Sequence, residues 1–215
     1  MPKARSAKGK PKGLVPCGKV DKLSASGRKG ELTMRYSTGA IILHWTIAIL
    51  IALNYIGAWS AEDLPAAEKA YAMAGHKAFG VTILLLTVLR IVWRLTHRPP
   101  PLSPTLKTWE AGLAKAVHSL FYVVMVAVPL MGWATHSAAS GGKPVNAFGL
   151  FAYPGLPLDQ SKTNAELFAE VHEVMATVML ALIALHVLGA LKHQFLDRDG
   201  GMRRMWFGKG QVPKD

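Results

Sequence analysis

Four long apolar stretches dominate the pattern of hydrophobic and polar positions along the chain. They cover about residues 38–60, 76–96, 116–138 and 170–192, and polar segments separate them. A helix that crosses a hydrocarbon core of about 30 Å needs roughly 20 mainly apolar residues, which is close to the length of each stretch. The first and third stretches contain no Asp, Glu, Lys or Arg. The pattern therefore predicts an all-α membrane protein, a bundle of four transmembrane helices.

Composition agrees with a membrane location and adds an orientation. Hydrophobic residues make up 51% of the chain and the mean hydropathy is +0.23, which is high for a soluble domain. Lys and Arg are concentrated before the first span, between the second and third, and after the fourth. Because positively charged residues near spans tend to stay in the cytoplasm, both termini are predicted to be cytoplasmic. The net charge of +12 is thus explained by topology, and no nucleic-acid partner is expected.

The two ends of the chain differ in character from the apolar part. Residues 1–33 are rich in Lys, Gly, Pro and Ser without periodicity, which predicts a disordered basic tail. Such a tail either rests on anionic headgroups or is an extension from a start site upstream of Met34. Residues 34–207 form the predicted membrane domain, and residues 208–215 a short cytoplasmic tail.

Histidines inside the apolar stretches are the candidate functional residues, because ionisable side chains within a bilayer usually serve a function. His172 and His186 are 14 residues apart, so they share a helix face and are separated by about 21 Å along the axis. The direction of each span places His76 at the depth of His172, and His44 toward the depth of His186. The sequence therefore predicts two transverse pairs of histidines.

Paired imidazoles without a carboxylate or thiolate suit the axial positions of a haem iron, whereas zinc usually takes three or four protein ligands. His118 and His136 share a face of the third span and are rival ligands. Their separation of about 27 Å places them near the two interfaces, where they are better suited to haem propionates or a quinone. A single intramembrane histidine can also be an interhelical hydrogen-bonding group. His97 is interpreted as a solvated loop residue.

From Met34 to about Trp206, several motifs in the same order resemble the bacterial di-haem cytochrome b561 family. They are RYSTGAIILHW, GHKAFG, VLRIVWRLTHRPPP, AVHSLFYVVMVAVPLMGW, NAFG, VHEVMATV and ALHVLGALKHQF. The resemblance implies a four-helix bundle of the bacterial inner membrane that binds two b-type haems by bis-histidine ligation. The family's ligands to the haem irons fall on His44, His76, His172 and His186. Exchange of electrons with ubiquinone is implied, and superoxide oxidation coupled to quinone reduction is an activity attributed to the family.

Haems with both axial positions occupied leave no open site for oxygen, so transmembrane electron transfer is expected. The sequence itself names neither electron donor nor acceptor. Charge-assisted hydrogen bonds to haem propionates, or contacts with a quinone, could come from basic side chains near the spans. The candidates on the cytoplasmic side are Arg35, Arg90, Arg94, His118 and His193, and those on the outer side are Lys77 and His136.

Two other functions stay open at this stage. One is a haem b membrane-anchor subunit that docks a periplasmic dehydrogenase or hydrogenase and passes its electrons to quinone. The other is a haem-free transporter or proton relay, against which no acidic residue lies deep within a span. For a superoxide reaction, the outer segments hold four lysines against seven carboxylates, so steering is expected to depend on a local positive patch at Lys77 or a nearby lysine.

Overall fold

Four long helices form the protein, as described by a computed structural model for residues 35–101, 107–197 and 201–207. They are α1 (Thr38–Ser60), α2 (Ala66–Thr96), α3 (Thr108–Ser140) and α4 (Lys162–Lys192). Each is long and apolar enough to cross a membrane, which confirms the predicted all-α bundle of four spans. The side on which the termini lie stays a prediction. The predictions for residues 1–33 and 208–215 lie outside the described residues.

Three of the four helices begin well before their apolar stretch. The bounds of α1 match the predicted stretch, whereas α2 begins ten residues earlier than predicted, and α3 and α4 each begin eight residues earlier. The first ten residues of α2 are AAEKAYAMAG, which are mostly strong helix formers even though several are polar. Hydropathy reports where a helix meets lipid, while the hydrogen-bonded helix continues into the aqueous interface.

The outer faces of the helices are apolar. Large aliphatic side chains such as Ile56, Leu95 and Leu188 are 59%, 81% and 63% exposed. A soluble monomer rarely exposes contiguous apolar surface of this kind, whereas a bilayer covers it. The exposed faces therefore agree with a bundle embedded in lipid.

Packing inside the bundle is uneven. α1 packs on α2, α2 on α3, and α3 on α4, whereas among the described residues α4 makes few or no close backbone contacts with α1 or α2. Side chains fill the middle of the bundle. We call this group the central apolar layer, and its buried members are Ile47, Ile51, Ile83, Val124, Met125, Val128, Met179 and Leu182.

One end of the bundle carries a β-hairpin, and we call it the hairpin end. Strands β1 (Val145–Ala147) and β2 (Phe151–Tyr153) pair antiparallel, with Asn146 opposite Ala152. Phe148 and Gly149 have positive φ values of 55° and 73°, which is the conformation that tight β-hairpin turns favour at their central residues. The Asn146 side-chain oxygen accepts a hydrogen bond from the Gly149 N–H at 2.9 Å, which explains the NAFG motif in local terms.

The opposite end, the termini end, is where α1 begins and α4 ends. A π-helical turn (His193–Asp197) and a 3₁₀ helix (Gly201–Met205) follow α4. The indole N–H of Trp45 donates to the Met205 carbonyl at 2.8 Å, and the Trp45 ring lies edge-on to Trp206. The C-terminal segment therefore packs directly beside the helix turn that carries His44.

Candidate functional site

The first candidate site lies toward the hairpin end, where the rings of His76 and His172 face each other with centroids 6.0 Å apart. Each histidine lies ten residues after the first residue of its helix, which places both about 15 Å from the helix start. The two helices begin at the same end of the bundle. Their matched depth therefore agrees with the transverse pair predicted from the sequence.

The orientation of His172 is fixed by α3. Its Nδ1 lies 2.8 Å from the Val128 carbonyl oxygen, and because a carbonyl can only accept, Nδ1 carries the proton. A Cβ atom on Gly132 would lie 3.1 Å from Cε1 of the same ring, so glycine keeps the space that the imidazole occupies. Metal-binding histidines commonly donate their other ring N–H to a backbone carbonyl. This arrangement leaves Nε2 of His172 as an acceptor that points away from α3.

The second candidate site lies toward the termini end, where His44 and His186 have ring centroids 6.3 Å apart. His44 lies six residues after the start of α1, and His186 lies six residues before the end of α4. Aromatic side chains surround the pair, with Trp45 at 5.4 Å from His44 and Phe121 at 5.5 Å from His186. The second predicted pair is thus also brought together by the fold.

His118 is a rival at the same end. Its ring centroid is 5.6 Å from that of His186, so distance alone does not separate it from His44. The two differ in exposure, because His118 is exposed whereas His44 is half-buried. His136 belongs to the other end, where its Nε2 donates to the Lys143 carbonyl at 3.2 Å.

The geometry of both pairs fits a haem. Two metal–imidazole bonds of about 2 Å, plus about 1 Å from each nitrogen to its ring centre, give centroids roughly 6 Å apart. Both pairs match that distance, and both bridge α4 to a helix from which its backbone stays apart. A flat macrocycle needs such a gap. Within the described part of the chain, no three His, Cys, Asp or Glu side chains group as a metal site, which disfavours zinc.

Buried polar atoms that lack a hydrogen-bond partner also support a binding site between the helices. Within residues 35–101, Nδ1 of His76 and the hydroxyl of the fully buried Thr87 make no well-formed hydrogen bond. An unsatisfied buried polar group is costly, so such groups commonly mark a site for a bound molecule or water. Both residues lie on α2, which borders the gap next to α4.

The three arginines predicted to contact haem propionates or a quinone differ in burial. Arg90 is half-buried and close enough to His44 and His186 to interact with them electrostatically. Arg94 is exposed, and its guanidinium lies 5.9 Å from the centre of the Tyr122 ring. Arg35 is half-buried beside Tyr36, at the start of the described chain.

His193 and Lys77 have defined local surroundings. Nδ1 of His193 lies 2.8 Å from an Asp197 carboxylate oxygen, which also accepts from Lys192 at 2.7 Å. Lys77 lies near His136 at the hairpin end, where the two interact electrostatically. His193 therefore lies in an ion-pair cluster, whereas Lys77 contributes to a positive surface.

Two packing contacts between helices were not predicted from the sequence. Val128 and Gly132 lie within the quoted VPLMGW run, but nothing in the sequence indicates that their helix turn holds an imidazole of another helix. The second is at Gly39, because a Cβ there would overlap the Trp93 indole. His97 was interpreted as a solvated loop residue; instead its ring is half-buried and stacks on Trp93 at 4.2 Å.

A four-helix membrane bundle with imidazoles paired across helix gaps is the architecture of membrane b-type cytochromes. Comparison with known proteins agrees. Residues 35–208 match the family model described as prokaryotic cytochrome b561, so the chain belongs to that family. The protein is therefore a multi-pass bacterial membrane cytochrome of the haem b class, and its function is electron transfer.

Named relatives cover most of the chain. Cytochrome b561 homolog 2 of Escherichia coli is 29% identical over 174 residues, which is 80% of this chain and 90% of the relative. A protein of Yersinia pestis named probable superoxide oxidase CybB is 29% identical over 80% of this chain and 95% of its own length. Cytochrome b562 of Cereibacter sphaeroides is 27% identical over 79% of this chain and 94% of its own length.

Proposed function

We propose that the chain transfers electrons across the bacterial inner membrane through two b-type haems and exchanges them with the ubiquinone pool. His76 and His172 would hold one haem, and His44 and His186 the other. The observation that supports this proposal is that each pair bridges two helices whose backbones stay apart, with ring centres 6.0 and 6.3 Å from each other. A membrane-facing quinone is the natural partner of a redox centre within lipid.

Bound haem would supply reversible one-electron chemistry at each site, and the residues of the chain set its surroundings. The Val128 carbonyl holds His172 in one tautomer, so its Nε2 lone pair is presented without rearrangement. The central apolar layer lies between the two sites and excludes water. Bis-histidine ligation leaves no coordination position for oxygen, so electron transfer is favoured over oxygen activation.

Three polar side chains at the termini end are proposed to contact the haem propionates or a quinone. Arg90, half-buried beside the His44 pair, is the proposed propionate partner. His118 touches His186 from the exposed side and is the proposed contact for a quinone headgroup or a propionate. His193 is held by Asp197, so we assign it a secondary role, at the surface of this end.

Superoxide is the proposed electron donor at the hairpin end, by analogy with the relative named probable superoxide oxidase. Two of the four lysines there have local partners: Lys162 pairs with Glu166 at 3.6 Å, and Lys69 donates to the Glu62 carbonyl at 3.1 Å. Among the described residues, the ammonium groups of Lys77 and Lys143 have no salt-bridge partner. Together, beside His136, they form a local positive patch that would attract a small anion.

The haem content of the purified protein tests the two-site proposal. A pyridine haemochrome assay on fully loaded protein should give two haems per chain. His172→Ala and His186→Ala should each lower the content to one, because each removes one axial ligand from one pair. A content of one haem in the wild type, or two in either variant, would contradict the assignment.

The superoxide step has a separate test. Pulse radiolysis should show haem reduction by superoxide in the wild type, and Lys77→Gln should lower the second-order rate constant several-fold. Lys162→Gln, which removes the same charge from a side chain already paired with Glu166, is the matched control and should change little. No haem reduction in the wild type would remove superoxide as donor and leave the quinone-linked role standing.

A further inference from the structure

A cleft at the termini end is lined by three arginines. Arg90, Arg94 and Arg98 lie along its α2 side, with Trp93 between them, and Tyr36 and Tyr122 line the walls from α1 and α3. None of the described residues that line the cleft is acidic. The cleft therefore concentrates positive charge in one place.

The three arginines are placed differently. Arg90 is half-buried toward the His44 pair, where one of its guanidinium nitrogens lies 3.5 Å from the Ala40 carbonyl. Arg94 and Arg98 are exposed at the mouth of the cleft, and within residues 35–101 no carboxylate pairs with either of them. The inner arginine is thus assigned to the haem site, and the outer two remain available for another anion.

Contacts with Ser37, Gly39 and His97 fix the Trp93 side chain at the mouth of the cleft. The Trp93 indole donates to the Ser37 hydroxyl at 2.9 Å and fits against Gly39, and the His97 ring stacks on its other side. Trp and Tyr are enriched at the level of lipid headgroups, and α2 ends here at Thr96. The cleft therefore lies at the depth of a headgroup.

Hydrocarbon-facing surface adjoins the two outer arginines. Leu95, which directly follows Arg94 on α2, is 81% exposed. A small free anion would gain nothing from this surface, whereas a molecule with an anionic head and acyl chains would contact both parts. The geometry points to a specific site for an anionic phospholipid, whose headgroup phosphate binds between Arg94 and Arg98 while an acyl chain lies along Leu95.

Native mass spectrometry of the haem-loaded protein in detergent tests the site. With phosphatidylglycerol or phosphatidylcholine added at equal concentration, the wild type should retain phosphatidylglycerol preferentially. Arg94→Gln and Arg98→Gln should each lower that preference about fivefold, since one basic residue near a lipid surface is worth about that factor. Lys115→Gln is the matched control, because Lys115 is exposed on α3 at the same end but does not line the cleft.

Several results would overturn the assignment. Equal retention of both lipids by the wild type, or an equal loss of preference in Lys115→Gln, would mean that no specific site exists. Displacement of phosphatidylglycerol by inorganic phosphate would indicate a simple anion site. Preference seen only after haem removal would assign the cleft to propionates. Haem content is measured on the same samples, so failure of the lipid site is distinguishable from failure of haem binding.

Discussion

The two histidine pairs are built to similar spacing in very different surroundings. At the hairpin end, a backbone carbonyl and a glycine hold His172, and the loop after the hairpin is tied to α3 through Trp133 and Ser137, which bond to Pro154 and Leu156. At the termini end, three imidazoles and two aromatic rings meet beside an arginine-lined cleft. One member of the hairpin-end pair, His172, is therefore oriented by a hydrogen bond, whereas the imidazoles of the other pair are held by ring contacts with their described neighbours.

Because of this difference, we expect the two sites to respond differently to substitutions around their ligands. A ligand held by a fixed hydrogen bond is prepared for the metal before binding, so changes in its support should affect affinity and spectrum. A ligand held by ring packing can adjust, so changes in its surroundings should matter less than loss of the imidazole itself. The exposed His118 and the cleft also make the termini end the more accessible side for a lipid-soluble partner.

The largest expected effect distinguishes the rival ligands at the termini end. His44→Ala should remove one of the two haems, because it leaves His186 without its partner across the helix gap. His118→Ala should leave both haems bound. The pyridine haemochrome assay measures both variants, and retention of two haems in His44→Ala together with loss of one in His118→Ala would reverse the assignment.

A smaller effect is expected from crowding the hairpin-end ligand. Gly132→Leu would place side-chain atoms where the His172 ring lies and break its bond to Val128, so haem retention there should fall about 10- to 100-fold. Electron paramagnetic resonance should show the loss in one of two low-spin signals. Gly112→Leu, on the same helix with open space around it, is the control. Equal losses from both variants would indicate a general packing defect.

The smallest effect concerns the hairpin itself. The Tyr153 hydroxyl donates to the Lys77 carbonyl at 3.2 Å, and burial raises the pKa of Tyr153 to about 12. The unfolded chain loses this proton near pH 10, before the folded protein does, so stability should fall as the pH rises from about 10 to 12. Thermal unfolding of Tyr153→Phe should lack that part of the decline.

The same phenol also contributes one hydrogen bond. Its loss in Tyr153→Phe should cost about 0.5–1 kcal/mol at neutral pH, at the lower end because the group is only half-buried. Tyr71→Phe, at an 84% exposed position in α2, should be neutral. An unchanged pH profile in Tyr153→Phe would show that the hairpin contact does not contribute to stability.

Much of the fold was predictable because lipid imposes strong rules. Backbone polar groups in hydrocarbon must be satisfied within a helix, so length and hydropathy locate the spans. The starts of α2, α3 and α4 were not predictable in this way, because polar helix formers such as Glu68 and Lys69 carry no hydropathy signal. The histidine pairs followed from helix rise and span direction, which need no knowledge of packing.

Contacts between helices were beyond the sequence. That the Val128 carbonyl meets His172, or that Gly39 makes room for Trp93, depends on how two surfaces face each other. His118 shows the same limit: helix periodicity placed it near an interface, but only the packed structure shows its ring 5.6 Å from His186.

The central apolar layer has an energetic consequence for the cell. Its eight buried residues carry no ionisable group, so they offer no chain of proton acceptors along which protons could follow electrons. Charge would then move through the bilayer uncompensated. With the termini in the cytoplasm, as the charge distribution predicts, each electron passing inward would work against a potential that is negative inside, at about 2.3 kcal/mol per 100 mV for the full thickness. Oxidation outside and reduction inside would therefore add to the membrane potential, and a steeper potential would slow the turnover.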